Sequence, residues 1–220
     1  MREGGAADRP PGLAARTLAA AFSLVALAAS LAGCAEDPAS SRAAAPRLVS
    51  VLGEGSERAI GFAVAANRVV TVAHAVEGNQ GVRVRVGGGS RRARILRVDR
   101  RADLALLAVP GVRASTPDTA TAGKEDTVSV MALRGDRAEA LPAVVRRAID
   151  ARVSAPGVER PTPRPALELA ARTRAGDSGA PVVTEDGQVA GVVFARSRTV
   201  ADTAYAVDAR ALDELLADGT

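Results

Sequence analysis

The chain has 220 residues, 47% apolar and 25% charged, which is enough hydrophobic material for a sizeable core and excludes both a disordered tail and a polytopic membrane protein. Its 29 basic and 25 acidic residues leave a net charge of only +4. Phe22, Phe62, Phe194 and Tyr205 are its whole aromatic set, so stacking platforms are missing and no nucleic-acid partner is expected. Any core must therefore be built from Val, Leu, Ile and Ala.

The chain begins with what reads as an export signal over residues 1–33. Arg2, Arg9 and Arg16 precede an apolar run over 18–31 that is shorter than the roughly 20 residues needed to span a bilayer. Leu31, Ala32, Gly33 and Cys34 close the run and resemble the lipobox of bacterial lipoproteins, in which the thiol is acylated after the preceding peptide is removed. Cys34 is the only cysteine, so it has no partner for an internal disulfide. Two or three acyl chains would anchor the protein stably, since each buried methylene contributes about 0.8 kcal/mol and one chain alone is marginal. Residues 34–47 then form a flexible tether, and the protein is expected on the outer face of the bacterial cytoplasmic membrane or elsewhere in the cell envelope.

From residue 48 onward the pattern has period two or short apolar runs, punctuated by Gly, Asn, Asp and Pro. Strands are expected at 48–52, 60–65, 69–73, 82–86, 93–98 and 104–109. Val82, Val84 and Val86 alternate with Arg83 and Arg85, and Gly87, Gly88, Gly89 and Ser90 read as the turn that follows. A Pro- and charge-rich connection over 110–126 leads to further strands at 128–133, 143–149, 166–170, 180–183, 189–195 and 204–207. Residues 211–217 read as a short helix, with Leu212, Leu215 and Leu216 on one face. Six strands, a connection and six more strands suggest an all-β fold of two packed six-stranded antiparallel barrels, about 48–110 and about 127–210. Periodicity alone leaves a single sandwich open.

Three short segments carry the candidate chemistry. His74, the only histidine, lies in Thr71-Val72-Ala73-His74-Ala75-Val76 at a strand end; one histidine cannot build a multi-histidine metal site, and neither metal nor cofactor is expected. Asp103 opens the apolar run Leu104 to Val109, and Ser178 sits in Gly176-Asp177-Ser178-Gly179-Ala180-Pro181. Each alone is an ordinary strand end or tight turn. In this order, and each in a strand or loop context, they match the needs of nucleophilic serine chemistry. A serine hydroxyl attacks only when a base takes its proton, and His74 is the sole imidazole. Asp103 would accept the other ring N–H, and Gly176 and Gly179 let the chain turn so that the amides of Gly176 and Ser178 point at a developing oxyanion.

The sequence thus resembles trypsin-like serine peptidases of the chymotrypsin fold, and within them the compact bacterial branch that includes the high-temperature-requirement and periplasmic proteases. The likeness is concentrated in GFAVAANRVVTVAHAV, DLALL, GDSGAPVV and GQVAGVVFA. It implies a double β-barrel over 48–220 with a catalytic cleft between the barrels, a His74, Asp103 and Ser178 triad, an oxyanion hole at Gly176 and Ser178, and a peptide or protein substrate. By the motif's alignment Arg172 would floor the primary pocket, with Phe194, Ala195, Arg196, Thr203 and Tyr205 as walls. Arg172, with Arg174 and Arg196, would then favour an acidic side chain; if Arg172 faces water, the pocket suits small apolar ones.

Phe194 occupies the position where many such enzymes place a serine beside the catalytic aspartate, and no Ile-Val-Gly-Gly-like segment signals activation by insertion of a new amine beside Asp177. Asp177 is expected to pair with an arginine instead. The competing readings are a protease fold, inactive or gated, kept as a peptide- or partner-binding lipoprotein, and a structural envelope lipoprotein without cleft chemistry.

Overall fold

The computed structural model describes residues 45–53, 58–79, 81–152 and 163–217. The export signal, Cys34 and most of the tether lie outside the described residues.

The first half forms one antiparallel sheet of seven strands: β1 (Leu48–Leu52), β2 (Arg58–Ala65), β3 (Arg68–Val72), β4 (Arg83–Val86), β5 (Gly89–Arg92), β6 (Arg94–Asp99) and β7 (Leu104–Ala108). Their spatial order is β5-β4-β1-β2-β3-β7-β6, so the edge strands β5 and β6 are consecutive in the chain. The sheet curls into a half-barrel rather than closing into the expected six-stranded barrel. The seventh strand, β5, falls where a turn was expected. Gly87 and Gly88 alone turn the chain, both at positive φ, and Gly89 to Arg92 pair back onto β4. All four residues of β5 are exposed, so no apolar alternation marked it.

The second half matches the expectation of six strands. The strands β8 (Thr127–Arg134), β9 (Arg137–Ala151), β10 (Arg164–Ala171), β11 (Pro181–Val183), β12 (Val189–Arg196) and β13 (Thr203–Asp208) close a barrel in the order β10-β13-β12-β11-β8-β9. Strand β9 is about twice the expected length because its first part pairs with β8 and its second with β10, one strand serving two neighbours at a barrel corner. Among the described residues a single α-helix, α1 (Ala209–Ala217), follows β13 directly.

Small aliphatics fill both halves. Val49, Val51, Phe62, Val69, Leu104 and Leu107 are buried in the first sheet, and Val130, Val145, Leu167, Leu169, Val182 and Val193 inside the closed barrel. Leu212 and Leu215 of α1 join Val189, Val192, Phe194 and Val207 of the second half to the first sheet's core, so one apolar layer runs between the halves. Burying a side chain of this size contributes about 1.5 to 3 kcal/mol. The same layer fixes where the strand ends of the two halves meet.

Candidate active site

His74 follows β3 in a single 3-10 turn, Ala73–Ala75, which lifts its ring out of the sheet and leaves its side chain 40% exposed. Asp103 precedes β7, the strand paired with β3, and this register brings the two side by side although 29 residues separate them. Two contacts join them, and a third joins Asp103 to the neighbouring Ala73. Ala73 N–H donates to the Asp103 carbonyl at 2.9 Å, His74 N–H to Asp103 Oδ1 at 3.0 Å, and His74 Nδ1 meets Asp103 Oδ2 at 2.7 Å. With a buried carboxylate as acceptor, the proton of a neutral imidazole belongs on Nδ1, which makes Nε2 the accepting nitrogen of the ring. Asp103 sits at φ +57, a left-handed conformation that aspartate tolerates better than most residues.

Ser178 lies on the loop between β10 and β11. Gly176 and Gly179 flank it at φ +93 and +85. Gly179 is fixed by more than its φ, because a Cβ there would stand 1.9 Å from the Ile60 carbonyl oxygen. That close approach goes with a 2.7 Å bond from Ile60 N–H to the Ser178 carbonyl, which ties the serine loop of one half to β2 of the other. Neighbouring amides are used internally: Asp177 N–H donates to Arg174 O, Gly179 N–H to Val193 O and Ala180 N–H to Asp177 O. The amides of Gly176 and Ser178 make no backbone hydrogen bond with the described residues, and both residues line a cleft of about 660 Å³ that His74 also lines.

Asp177 is 2% exposed and has the arginine partner that was expected without being identified. Arg134, at the end of β8, grips it with two bonds of 2.6 and 3.1 Å, and Arg174 N–H adds a third at 2.7 Å. The hydrogen bonding to Asp177 holds the Arg134 guanidinium above the ordinary arginine pKa against the opposing effect of burial. No local motif marks this pair, since 43 residues separate its members.

The residues expected around a pocket divide into two groups. Ala195 and Arg196 line the cleft beside His74 and Ser178. Arg172, expected at the floor, is not among the lining residues. Its side chain is 86% exposed and pairs with Asp202 at 3.2 Å. Thr203 is buried and accepts a bond from Arg146 at 3.0 Å, while Phe194 is buried behind the cleft with Tyr205 against it, their ring centroids 6.4 Å apart. Among the described residues the cleft's charge comes instead from Arg58, Arg196 and Arg198, and none of its described lining residues is acidic. Arg58 and Arg198 went unnoticed in the sequence because neither belongs to a motif; each reaches the cleft from a strand start or a loop.

A histidine oriented by a buried aspartate, a serine on a glycine-flanked loop and two spare amides around one cleft define the class. Residues 59–192 match the trypsin-like peptidase domain, and the chain belongs to that family. Among its relatives, the serine proteases Rv3671c and MT3772 of two Mycobacterium tuberculosis strains are each 34% identical over 174 residues, which is 76% of this chain and 42% of theirs. The chain thus spans less than half the length of the curated relatives it matches. The crystal structure of the Rv3671c protease in its active form superposes with a TM-score of 0.70 at 30% identity, covering 81% of this chain and 82% of that one. The inactive form gives 0.67 at 31%, covering 82% and 90%. The serine endoprotease from Yersinia pestis, at 18% identity and a TM-score of 0.62 over 81% of this chain and 65% of its own, shares the fold. The half-barrel, closed barrel and C-terminal helix thus compose a chymotrypsin-like fold.

Proposed function

We propose that this domain is a serine endopeptidase in which Ser178 is the nucleophile, His74 the general base and Asp103 the residue that orients it. The observation that carries this reading is the 2.7 Å contact of Asp103 with His74 Nδ1, in a cleft that His74 shares with Ser178. In the mechanism, Nε2 takes the Ser178 proton as the hydroxyl oxygen attacks the scissile carbonyl, and Asp103 stabilises the imidazolium that forms. The amides of Gly176 and Ser178 receive the oxyanion; one such donor is typically worth about 3 to 4 kcal/mol at the transition state. His74 then returns the proton to the leaving amine, and water repeats the sequence to release the acyl group. Fluorophosphonate labelling is the direct test: labelling confined to Ser178 and dependent on His74 supports the mechanism, and equal labelling of a Ser178→Ala chain ends it.

The substrate reading follows from the cleft's charge. Arg58, Arg196 and Arg198 favour peptides with Asp or Glu near the scissile bond, through charge-assisted hydrogen bonds. A cleavage-site profile on a denatured protein mixture reads this preference, and enrichment of small aliphatic residues alone would overturn it.

The export and anchoring expectations complete the proposal: a signal over 1–33, a lipid on Cys34, a tether over 34–47 and a peptidase domain over 48–220 at the cell envelope. The sequence pattern ending in Leu31-Ala32-Gly33-Cys34 supports them. Cys34→Ser should leave the precursor unprocessed or released, because no other thiol exists to take the lipid. An unmodified Cys34 thiol in the mature protein would remove the anchoring part and leave the chemistry untouched.

A further inference from the structure

Arg164 opens β10 in the closed barrel, yet its guanidinium reaches the first sheet. It is 5% exposed, its Cζ lies 4.3 Å from the centroid of the Phe194 ring, and its Nη1 donates to the Arg101 carbonyl at 3.1 Å. Burial lowers its pKa from the ordinary arginine value, while the charges of Asp103 and Asp99 oppose that change. Among the described residues no carboxylate pairs with it directly, an expensive arrangement for a buried cation unless the position has a use.

Its place suggests the use. The turn 101–103 carries Asp103 in a left-handed conformation and has to be held from outside to keep it. Asp99 Oδ1 holds one side, accepting from the amides of Arg101 and Ala102 at 2.8 and 3.0 Å. Arg164 holds the carbonyl side, two residues before Asp103. Phe194, where a serine would otherwise support the acid, supplies a ring face for the guanidinium instead.

We propose that Arg164 is a positioning residue for Asp103, clamping the turn 101–103 of the first sheet from β10 of the second barrel. This inference rests on the reading of Asp103 as the residue that orients His74. The clamp sets the distance from Asp103 Oδ2 to His74 Nδ1, and through it the activation of Ser178.

The test is a cycle in the full-length chain, read as the rate of Ser178 labelling by a fluorophosphonate, normalised to folded protein by circular dichroism. Arg164→Met keeps length and apolar packing but removes the donor and the charge; it should slow labelling by about tenfold or more, the scale of a misplaced catalytic group. Arg164→Lys should fall between, slowing labelling by about threefold, because it keeps the charge and loses the planar fork. Neither substitution should slow labelling further in an Asp103→Asn background, where there is no acid left to position. Labelling of Arg164→Met within about twofold of the parent, or an equal slowing with and without Asp103→Asn, would show a packing role only and overturn the inference. If Arg164→Met does not fold, the Arg164→Lys cycle reads the same coupling. Ser178→Ala in the same series separates the two levels: labelling of that variant at the parent rate defeats the underlying mechanism, whereas its silence alongside an unaffected Arg164→Met defeats only the clamp.

Discussion

Asp103 and Asp177 are both buried carboxylates, one bonded to His74 and the other next in the chain to Ser178, and both accept bonds from backbone and side chain. Asp177 is held by Arg134, which stays charged at any pH the fold survives, and by the Arg174 amide, which makes it a fixed post beneath the serine loop. Asp103 is committed to the backbone amide and ring of His74, the side chain that takes up the proton in the proposed mechanism. Similar burial thus serves opposite ends. A carboxylate paired with a permanent cation stores its energy in the fold, and one paired with an imidazole places its energy where a proton moves.

The sharpest way to break the comparison is on the chemical side. Ser178→Ala and His74→Ala should each remove about 10⁴ to 10⁶ of the peptide-hydrolysis rate, and combining them should cost little more, because residues of such a unit act together. Asp103→Asn should cost about 10⁴ in kcat through the wrong tautomer, with an unchanged melting temperature. Asp177→Ala should behave in the reverse sense: a loss of about 3 kcal/mol in a denaturant titration, since it removes the buried carboxylate that takes two of Arg134's bonds and leaves only the more exposed Glu139 beside it, partly recovered when Arg134→Met is added. Equal effects of the Asp103 and Asp177 substitutions on stability would dissolve the distinction. Gly179→Ala tests the loop between them. Its Cβ would collide with the Ile60 carbonyl, so labelling of Ser178 should slow by about 10² while the core strands stay protected in hydrogen exchange. The smallest effects belong to the cleft's rim. Arg196→Ala or Arg198→Ala should reduce the preference for acidic over neutral peptides by about threefold to tenfold, as exposed charges do, and Arg172→Ala should leave it unchanged.

What the sequence made legible follows from how far apart the interacting groups lie. The three segments around His74, Asp103 and Ser178 are local patterns, and each strand or loop context expected for them is present. Strand positions in the closed barrel, β9 apart, came close because β8 and β10 largely alternate between core and surface and β11 to β13 are short apolar runs. Strand β5 escaped because Gly89, Ser90, Arg91 and Arg92 bury nothing; it forms because two glycines turn the chain back onto β4, where backbone pairing and a bond from Arg83 Nε to Ser90 Oγ hold it. The partners of the site escaped for another reason. Arg134 and Arg164 reach their acceptors across 43 and 63 residues, and nothing in their neighbourhoods distinguishes them from the many arginines that face water. Arg172 shows the same limit from the other side: an offset counted along a motif predicts where a backbone goes better than where a long side chain points.

The bond between Ile60 and the Ser178 carbonyl has a consequence for how the molecule comes into being. The serine loop follows the whole first sheet in the chain, and its seat is a strand of that sheet. A nascent or severed second barrel would carry every residue of the GDSGAP segment and still lack the surface that seats it. The surface that seats Ser178 is therefore complete only where the two halves meet.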